Sequence, residues 1–492
     1  MAARRIDAVS LFRSLDWVTI ILYLIMVIAG VVSIYAASYD FDDASMLSFS
    51  EFSGKQIRWI GLSLFIGFIL LLIDTRIYET YAYPIYVIVL IILLITPFLA
   101  PDIKGSRSWL VFGPMSLQPA EFAKFATALA LAKLFSEYGF TLQGKLANSL
   151  KACVIIILPV LFILAEKETG SALTFLALFF VLYREGMSGL ILFSALFAVV
   201  TFVLGVKYTD TQIMGIDTGQ FWILVFIMIS MVAILLVKGD NHRKYFIARN
   251  VIGWFAITST LMWILAGLCD LDLPGMLLML LIIGVATIYL VVEALKTHFY
   301  TFLIAPAVAV GAIVFMFSVD IAFDHLQPHQ QQRIKVVLGI EEDLRGAGYN
   351  VNQSKIAIGS GGFDGKGFLN GTQTKLKYVP EQHTDFIFCT IGEEEGFIGT
   401  TAVMLLFVML IFRVIALAER QPTTFGRVYA YSVASFFIFH FCINIGMVIG
   451  LCPVIGIPLP FFSYGGSSLW GFTILLFILL RIDAGRKMVQ TR

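Results

Sequence analysis

Asp385 stands where the chain changes solvent. Glu381, Gln382, His383 and Thr384 precede it, and Phe386, Ile387 and Phe388 follow. A carboxylate between a polar and an apolar run belongs at about the level of a membrane surface. Its apolar neighbours would raise its proton affinity by desolvation, which suits a general base. Other groups with chemical potential are scattered. Glu121 and Lys124 are three residues apart and so share a helix face. They open an apolar run, where ionisable groups point to function by default; a structural ion pair reaching the interface is the alternative. Glu166, Lys167 and Glu168 interrupt another apolar run. They form either a plain turn or a place for the Glu168 carboxylate near a substrate. Arg107 and Trp109 lie in a turn-rich stretch bracketed by Gly105 and Gly113. Trp109 also fits an interfacial anchor. His383 and Ser463 flank the same polar regions. No His or Cys grouping has metal-ligand spacing, so no built-in metal is expected.

The elements that must position these groups are membrane helices. Of the 492 residues, 59% are hydrophobic and only 14% charged, against roughly 25% charged in soluble proteins. A net charge of +1 gives no nucleic-acid footprint. About fourteen apolar runs reach spanning length: 17–37, 57–73, 83–100, 119–135, 152–165, 170–183, 188–206, 221–237, 251–268, 275–293, 300–319, 396–413, 428–450 and 465–480. The first of these lacks a small-residue cleavage site and reads as a span rather than a cleaved leader. Basic residues recur in alternate connections, from Arg4 and Arg5 through Arg76, Lys145, Arg184, Arg243, Lys296 and Arg420 to Arg486. That phase puts both termini in the cytoplasm and the acidic connection with Asp40, Asp42 and Asp43 outside. It also puts residues 320–395 outside, as a long loop expected to form short amphipathic helices on the membrane face. The glycines of 359–371 are no P-loop, because no GxxxxGK[ST] follows a strand. They read as turns or as backbone able to approach a phosphate. Residues 444–468 hold Pro453, Pro458 and Pro460 among several glycines. Irregular backbone at membrane depth must be covered by protein or line a cavity, so this stretch is expected to re-enter.

Four ordered stretches resemble one family. They are GSRSW with QPAEFAK, GSGGFDGKGFLNGTQT, PEQHTDFIF with GEEEGFIG, and NIGMVIGLCPVIGIPLPFFSYGGSS. Together they are similar to the SEDS proteins (RodA, FtsW and their sporulation relatives), and the QSKIAIGSGG and GTQT runs look more like the elongation branch than the division branch. The resemblance implies an all-α polytopic bundle with about ten core spans, and hence about four inserted ones. The expected layout is 1–187 for the N-terminal part of the core, 188–299 for inserted helices, 300–319 for a core helix, 320–395 for the catalytic loop and 396–492 for the rest. It implies a peptidoglycan glycosyltransferase of the bacterial cytoplasmic membrane that polymerises lipid II and works with a class B penicillin-binding protein and other elongation-complex membrane proteins. It makes Asp385 the catalytic residue and brings Trp109, Glu121 and Lys124 into the site. Where the family tends to read Q-P-D-x-G-T-A, this chain keeps an acid as Glu168 and loses the proline.

Residue chemistry agrees. A lipid-linked donor joined α to its diphosphate and a β product require inversion by one displacement, with one base and positive charge at the leaving group, and no carboxylate pair. Asp385 is the expected base. Arg107 and Lys124 are the expected charges, Glu121 would orient Lys124, and a divalent cation (Mg or Mn) bound mainly by phosphate oxygens would share the task. A lipid-precursor flippase and a division role are the competing readings. A flippase would need polarity at the midplane, whereas here it gathers in loops on one face.

Overall fold

The computed structural model describes residues 12–39, 51–103, 105–113, 115–208, 211–213, 216–238, 243–269, 275–341 and 348–490. Arg4, Arg5, Asp40, Asp42 and Asp43 lie outside the described residues. In chain order the helices are α1 (Trp17–Ser38), α2 (Phe52–Leu72), α3 (Thr75–Thr80), α4 (Ala82–Leu99), α5 (Pro119–Ser136), α6 (Leu146–Ala165), α7 (Thr169–Thr174), α8 (Leu178–Arg184), α9 (Gly189–Lys207), α10 (Thr218–Lys238), α11 (Lys244–Cys269), α12 (Gly275–Thr297), α13 (Ile304–Asp324), α14 (Pro328–Leu338), α15 (Tyr349–Gly361), α16 (Thr372–Lys375), α17 (Ile387–Glu394), α18 (Gly396–Glu419), α19 (Thr424–Val448) and α20 (Gly466–Gln490). Among the described residues, eleven helices are long and apolar enough to cross a membrane. The other three expected spans fall on α5, on α11 and on the shorter apolar stretch Thr169–Arg184. The chain is a multi-pass membrane protein.

It packs as two units, 1–188 with 349–492, and 189–348. In the first unit α20 lies against α2, and α5 against α4 and α19. Apolar residues cover the outside of this unit as well as filling its core. On α4, Val87, Ile88, Ile91 and Leu94 face outward, while Gln56, Ser63, Thr19 and Thr473 are buried. The six buried alanines of α5 (Ala120, Ala123, Ala126, Ala128, Ala130 and Ala132) let neighbouring backbones approach closely. The second unit packs α10 against α13 and α9, and α12 against α11. An apolar cavity of 1010 Å³ opens between its α10, α11 and α12, lined by Phe221, Val225, Met228, Phe255 and Met279.

Two features fix the ends of the first unit. At the start of α1, Asp16 accepts from the Thr19 N–H at 3.1 Å and from the Arg413 guanidinium. Arg420 reaches both Asp16 and the fully buried Asp483, with Nε 2.8 Å from Asp483 Oδ1, and Gln421 adds a bond at 3.0 Å. At the other end of α1, Lys375 Nζ donates to the Ala36 carbonyl (2.7 Å) and Gln382 Nε2 to that of Ala37 (2.6 Å). These two groups cap the helix's last carbonyls. A 22-residue helix is about 33 Å long, so the ion cluster and the Asp385 loop stand at opposite ends of the bundle.

The segment expected to lie as amphipathic helices on the membrane face is only partly of that kind. It does form short helices. However, every residue of α17 is buried, and it packs against α15, α18 and α1. The reason is close backbone contact. A Cβ at Gly361 would sit 2.0 Å from the Gly392 carbonyl oxygen, so α15 meets α17 with no side chain between. Gly361 is therefore a helical packing residue, while Gly359 lies on the exposed side of the same helix. Glu393 completes the support, accepting from the Gln373 and Thr374 N–H groups (2.8 Å each) and from Lys366 Nζ (2.7 Å). Burial opposes ionisation of Glu393, but these donors outweigh it and hold the carboxyl below its ordinary range.

Candidate active site

Asp385 is half-buried, in the turn that leads into α17. Phe386, Ile387 and Phe388 anchor the C-terminal side of that turn, with exposures of 1%, 0% and 3%. Three donors fix its backbone. Ser463 Oγ donates to the Thr384 carbonyl at 2.7 Å, the Tyr464 N–H to that of His383 at 2.9 Å, and Asn444 Nδ2 to that of Asp385 at 2.8 Å. Ser463 Oγ also accepts from the Leu459 N–H at 2.8 Å, so this candidate substrate contact also holds backbone. The His383 ring stacks on Phe52 with centroids 4.3 Å apart, and Tyr464 meets Phe52 edge-on. A 530 Å³ cleft opens beside them, lined by Glu51, Phe52, Lys377, Glu381 and His383 among others.

The re-entrant stretch is the common wall. Its helix-free part is shorter than 444–468, because α19 continues to Val448 and α20 begins at Gly466. Asn444 is therefore helical, and the prolines break the helix only beyond it. Ile457, Leu459, Phe461 and Phe462 are buried, which satisfies the requirement that irregular backbone be covered by protein. Residues 455–458 touch four parts of the site. The Ile455 carbonyl lies against Gly170, two residues past Glu168. At Gly456, φ is +70°, and an added Cβ would sit 3.5 Å from Asp385 Oδ2. A side chain there would be strained and would crowd the carboxylate. The Ile457 carbonyl accepts from Asn444 Nδ2 at 2.7 Å, and the Pro458 carbonyl lies 3.1 Å from His440 Nδ1.

Glu121 and Lys124 form the expected pair, with Nζ 2.8 Å from Oε1. Both are buried, so neither reaches an interface in this state. Lys124 Nζ also lies 3.0 Å from His440 Nε2 and 4.6 Å from the centre of the Phe472 ring. Gln118, just before α5, bonds Ser171 Oγ at 3.2 Å through Nε2 and Ser467 Oγ at 3.1 Å through its N–H.

Glu168 is held by Ser106 Oγ (3.1 Å) and Ser108 Oγ (3.3 Å), and the Arg107 N–H donates to the Glu166 carbonyl. The segment holding Ser106, Arg107 and Ser108 thus crosses the 166–168 turn, in which Lys167 has φ +62°. Burial raises the Glu168 carboxyl, the two serines counter it, and the Glu121 charge adds to the rise; the Gln118–Ser171 bond ties the start of α5 to α7, which Glu168 precedes. Burial, and next the Glu168 charge, push Glu166 up to about 8. The Arg107 guanidinium is exposed and 4.0 Å from Asp102. Trp109 is half-buried, just before the hairpin Leu110–Phe112 and Met115–Leu117 that feeds α5. Glu121, Lys124 and Glu168 are therefore gathered, and residues 455–458 connect them to Asp385. Arg107 and Trp109 border the same turn.

Sequence reasoning missed His440, and it placed Asn444 in a loop. The available signal was cost: His440 and Asn444 are polar groups four apart on an apolar helix, hence on one face.

Fold and site define a polytopic membrane protein with its convergent polar chemistry at one end, around a re-entrant loop. The profile of the FtsW/RodA/SpoVE cell cycle proteins matches residues 16–218 and 216–488, and the chain belongs to that family. It is 29% identical to the peptidoglycan glycosyltransferase MrdB of Escherichia coli over 437 residues, covering 89% of this chain and 86% of that one. It is 29% identical to the peptidoglycan glycosyltransferase RodA of Treponema pallidum over 452 residues, with the same coverages. A solved chain from a peptidoglycan synthase complex that coordinates polymerization and crosslinking has the same fold, with TM-score 0.59, 22% identity, and coverage of 96% of this chain and 98% of that one.

Proposed function

We propose that this protein is a peptidoglycan glycosyltransferase that polymerises lipid II on the outer face of the cytoplasmic membrane during elongation. The observation that carries the reading is Asp385, a half-buried carboxylate whose turn is fixed by Ser463, Tyr464 and Asn444 beside the re-entrant loop. The names of its relatives support the reaction. Asp385 takes the proton from the acceptor GlcNAc 4-hydroxyl as that oxygen attacks the donor's anomeric carbon. The bond to the diphosphate breaks with inversion, and the polyprenyl diphosphate leaves with the electron pair. Arg107 and Lys124 supply positive charge to the departing group. Lys124 is sealed in this state, so its part requires the pair to open towards the substrate. Glu121 orients it. Trp109, Glu168 and His383 border the substrate path. Among the described residues no group of three or more His, Cys, Asp or Glu could hold a metal ion. A divalent cation would arrive with the diphosphate, held mainly by phosphate oxygens. The synthase complex that shares this fold supports a class B penicillin-binding protein as partner.

The test is Asp385→Asn in the purified full chain, supplied with lipid II. A general base contributes about 10²–10⁴-fold, so the polymerisation rate should fall by at least about 100-fold with the protein still folded. Undiminished polymer would remove Asp385 from the role.

A further inference from the structure

Lys124 has three N–H bonds and is 1% exposed. One meets Glu121 Oε1 at 2.8 Å. A second points at His440 Nε2, 3.0 Å away, and the Phe472 ring takes the remaining side at 4.6 Å. An ammonium has only donors, so His440 Nε2 must accept. A neutral imidazole that accepts at Nε2 carries its proton on Nδ1. That nitrogen lies 3.1 Å from the Pro458 carbonyl, a pure acceptor, and so donates to it. Both ring nitrogens thus have a fixed role, and the tautomer is set at each end. Phe472 packs edge-on against the ring, 4.7 Å between centroids, and His440 itself is 1% exposed.

The chain of contacts has a direction. Pro458 is two residues from Gly456, whose Cβ position lies 3.5 Å from Asp385 Oδ2. Asn444, one turn along α19 from His440, bridges the Ile457 and Asp385 carbonyls. One face of α19 therefore holds the re-entrant loop twice. Through Asn444 it fixes the carboxylate, and through His440 it fixes the ammonium.

We propose that His440 is a positioning residue: it anchors the Lys124 ammonium to the re-entrant loop at Pro458, and so sets where positive charge stands relative to Asp385. This rests on the glycosyltransferase reading. The ring does not touch the reacting atoms. It acts through Lys124.

Two measurements on the purified full chain test this. The first is steady-state polymerisation of lipid II by His440→Leu and His440→Gln. Leu keeps volume and removes both bonds, whereas Gln offers one acceptor and one donor. The expected result for Leu is a kcat lowered about tenfold or more with KM within about twofold, and for Gln a kcat within about threefold of wild type. Full activity in the Leu variant, or equal loss in both, overturns the proposal. The second needs no turnover and survives any folding defect in the variants. With ¹⁵N-labelled histidine in the wild-type chain, the His440 signal should show a neutral ring protonated at Nδ1. A proton at Nε2, or at both nitrogens, overturns it. If Asp385→Asn retains polymerisation, the reaction assignment fails while the tautomer result stands by itself, so the two failures are distinguishable.

Discussion

Asn444 offers a sharp test of how the carboxylate is held. Its amide is completely buried, and one nitrogen serves two carbonyls, of Asp385 at 2.8 Å and of Ile457 at 2.7 Å. Asn444→Leu keeps the branching and number of side-chain heavy atoms, although its methyls are bulkier, and removes both N–H donors. Each stranded buried acceptor costs about 1–3 kcal/mol, so the local arrangement loses about 2–6 kcal/mol. Part of this is recovered if the turn moves until the Asp385 carbonyl finds another donor. Movement of the turn is what catalysis would feel, because a displacement of about 1 Å can cost about 10²-fold in rate. The expected outcome is a folded protein with a lowered unfolding temperature and a kcat reduced about 100-fold. KM should change little, since the groups that border the substrate path remain. The assay is polymerisation of lipid II by the purified variant, with thermal unfolding in the same detergent. A variant that unfolds earlier yet polymerises at the wild-type rate would refute the link between the Asn444 bridge and the position of Asp385.

Glu166→Gln should change pH dependence. The folded value of Glu166 is about 8, and an unfolded glutamate titrates near about 4.3. Between these values the folded state binds more protons. The contribution to stability is thus fully present below the unfolded value and is lost as pH rises through the folded one. In thermal unfolding from about pH 5 to pH 9, the glutamine variant should gain on wild type as pH rises; a constant difference would exclude the effect. Asp483→Asn should test the far end of the bundle. It leaves Arg420 with a weakened partner in a buried cluster, where breaking an ion pair costs about 3–5 kcal/mol. The expected result is a lower unfolding temperature with polymerisation per folded molecule unchanged. Loss of rate without loss of stability would contradict the separation of the two ends.

The helices were legible because membrane solvent imposes length and apolarity locally, and helix occupies all fourteen expected positions. The turn at 166–168 was legible for the same reason, since charges there stop two apolar runs. Asp385 could be picked out because it lies at a polar-to-apolar change and because the family resemblance points to it. What could not be read were partners distant in sequence. Nothing in the periodicity near Lys124 points to His440, 316 positions away. Nor does the Gly-rich run reveal that Gly361 faces the Gly392 carbonyl. The run suggested turns or a phosphate cradle; residues 362–371 are turns and irregular chain, and only its first three residues are helix, ending in the Gly361 contact. Ser463 illustrates the limit from the other side. Its place in a polar loop suggested contact with substrate, and nothing near it in sequence showed that its hydroxyl also serves Thr384 and Leu459.

The ion cluster of Asp16, Arg413, Arg420 and Asp483 also has an electrical consequence. A membrane holding about 100 mV exerts about 2.3 kcal/mol on each elementary charge that crosses it. A protein that keeps a wet, charged site open to one side risks becoming a leak. Here the opposite end is closed by side chains that hold one another in fixed pairs, with Asp483 fully buried. None of them can shuttle a proton without breaking a bond to its partner. The cluster therefore presents such a voltage with charges held in pairs, at the end of the bundle opposite Asp385.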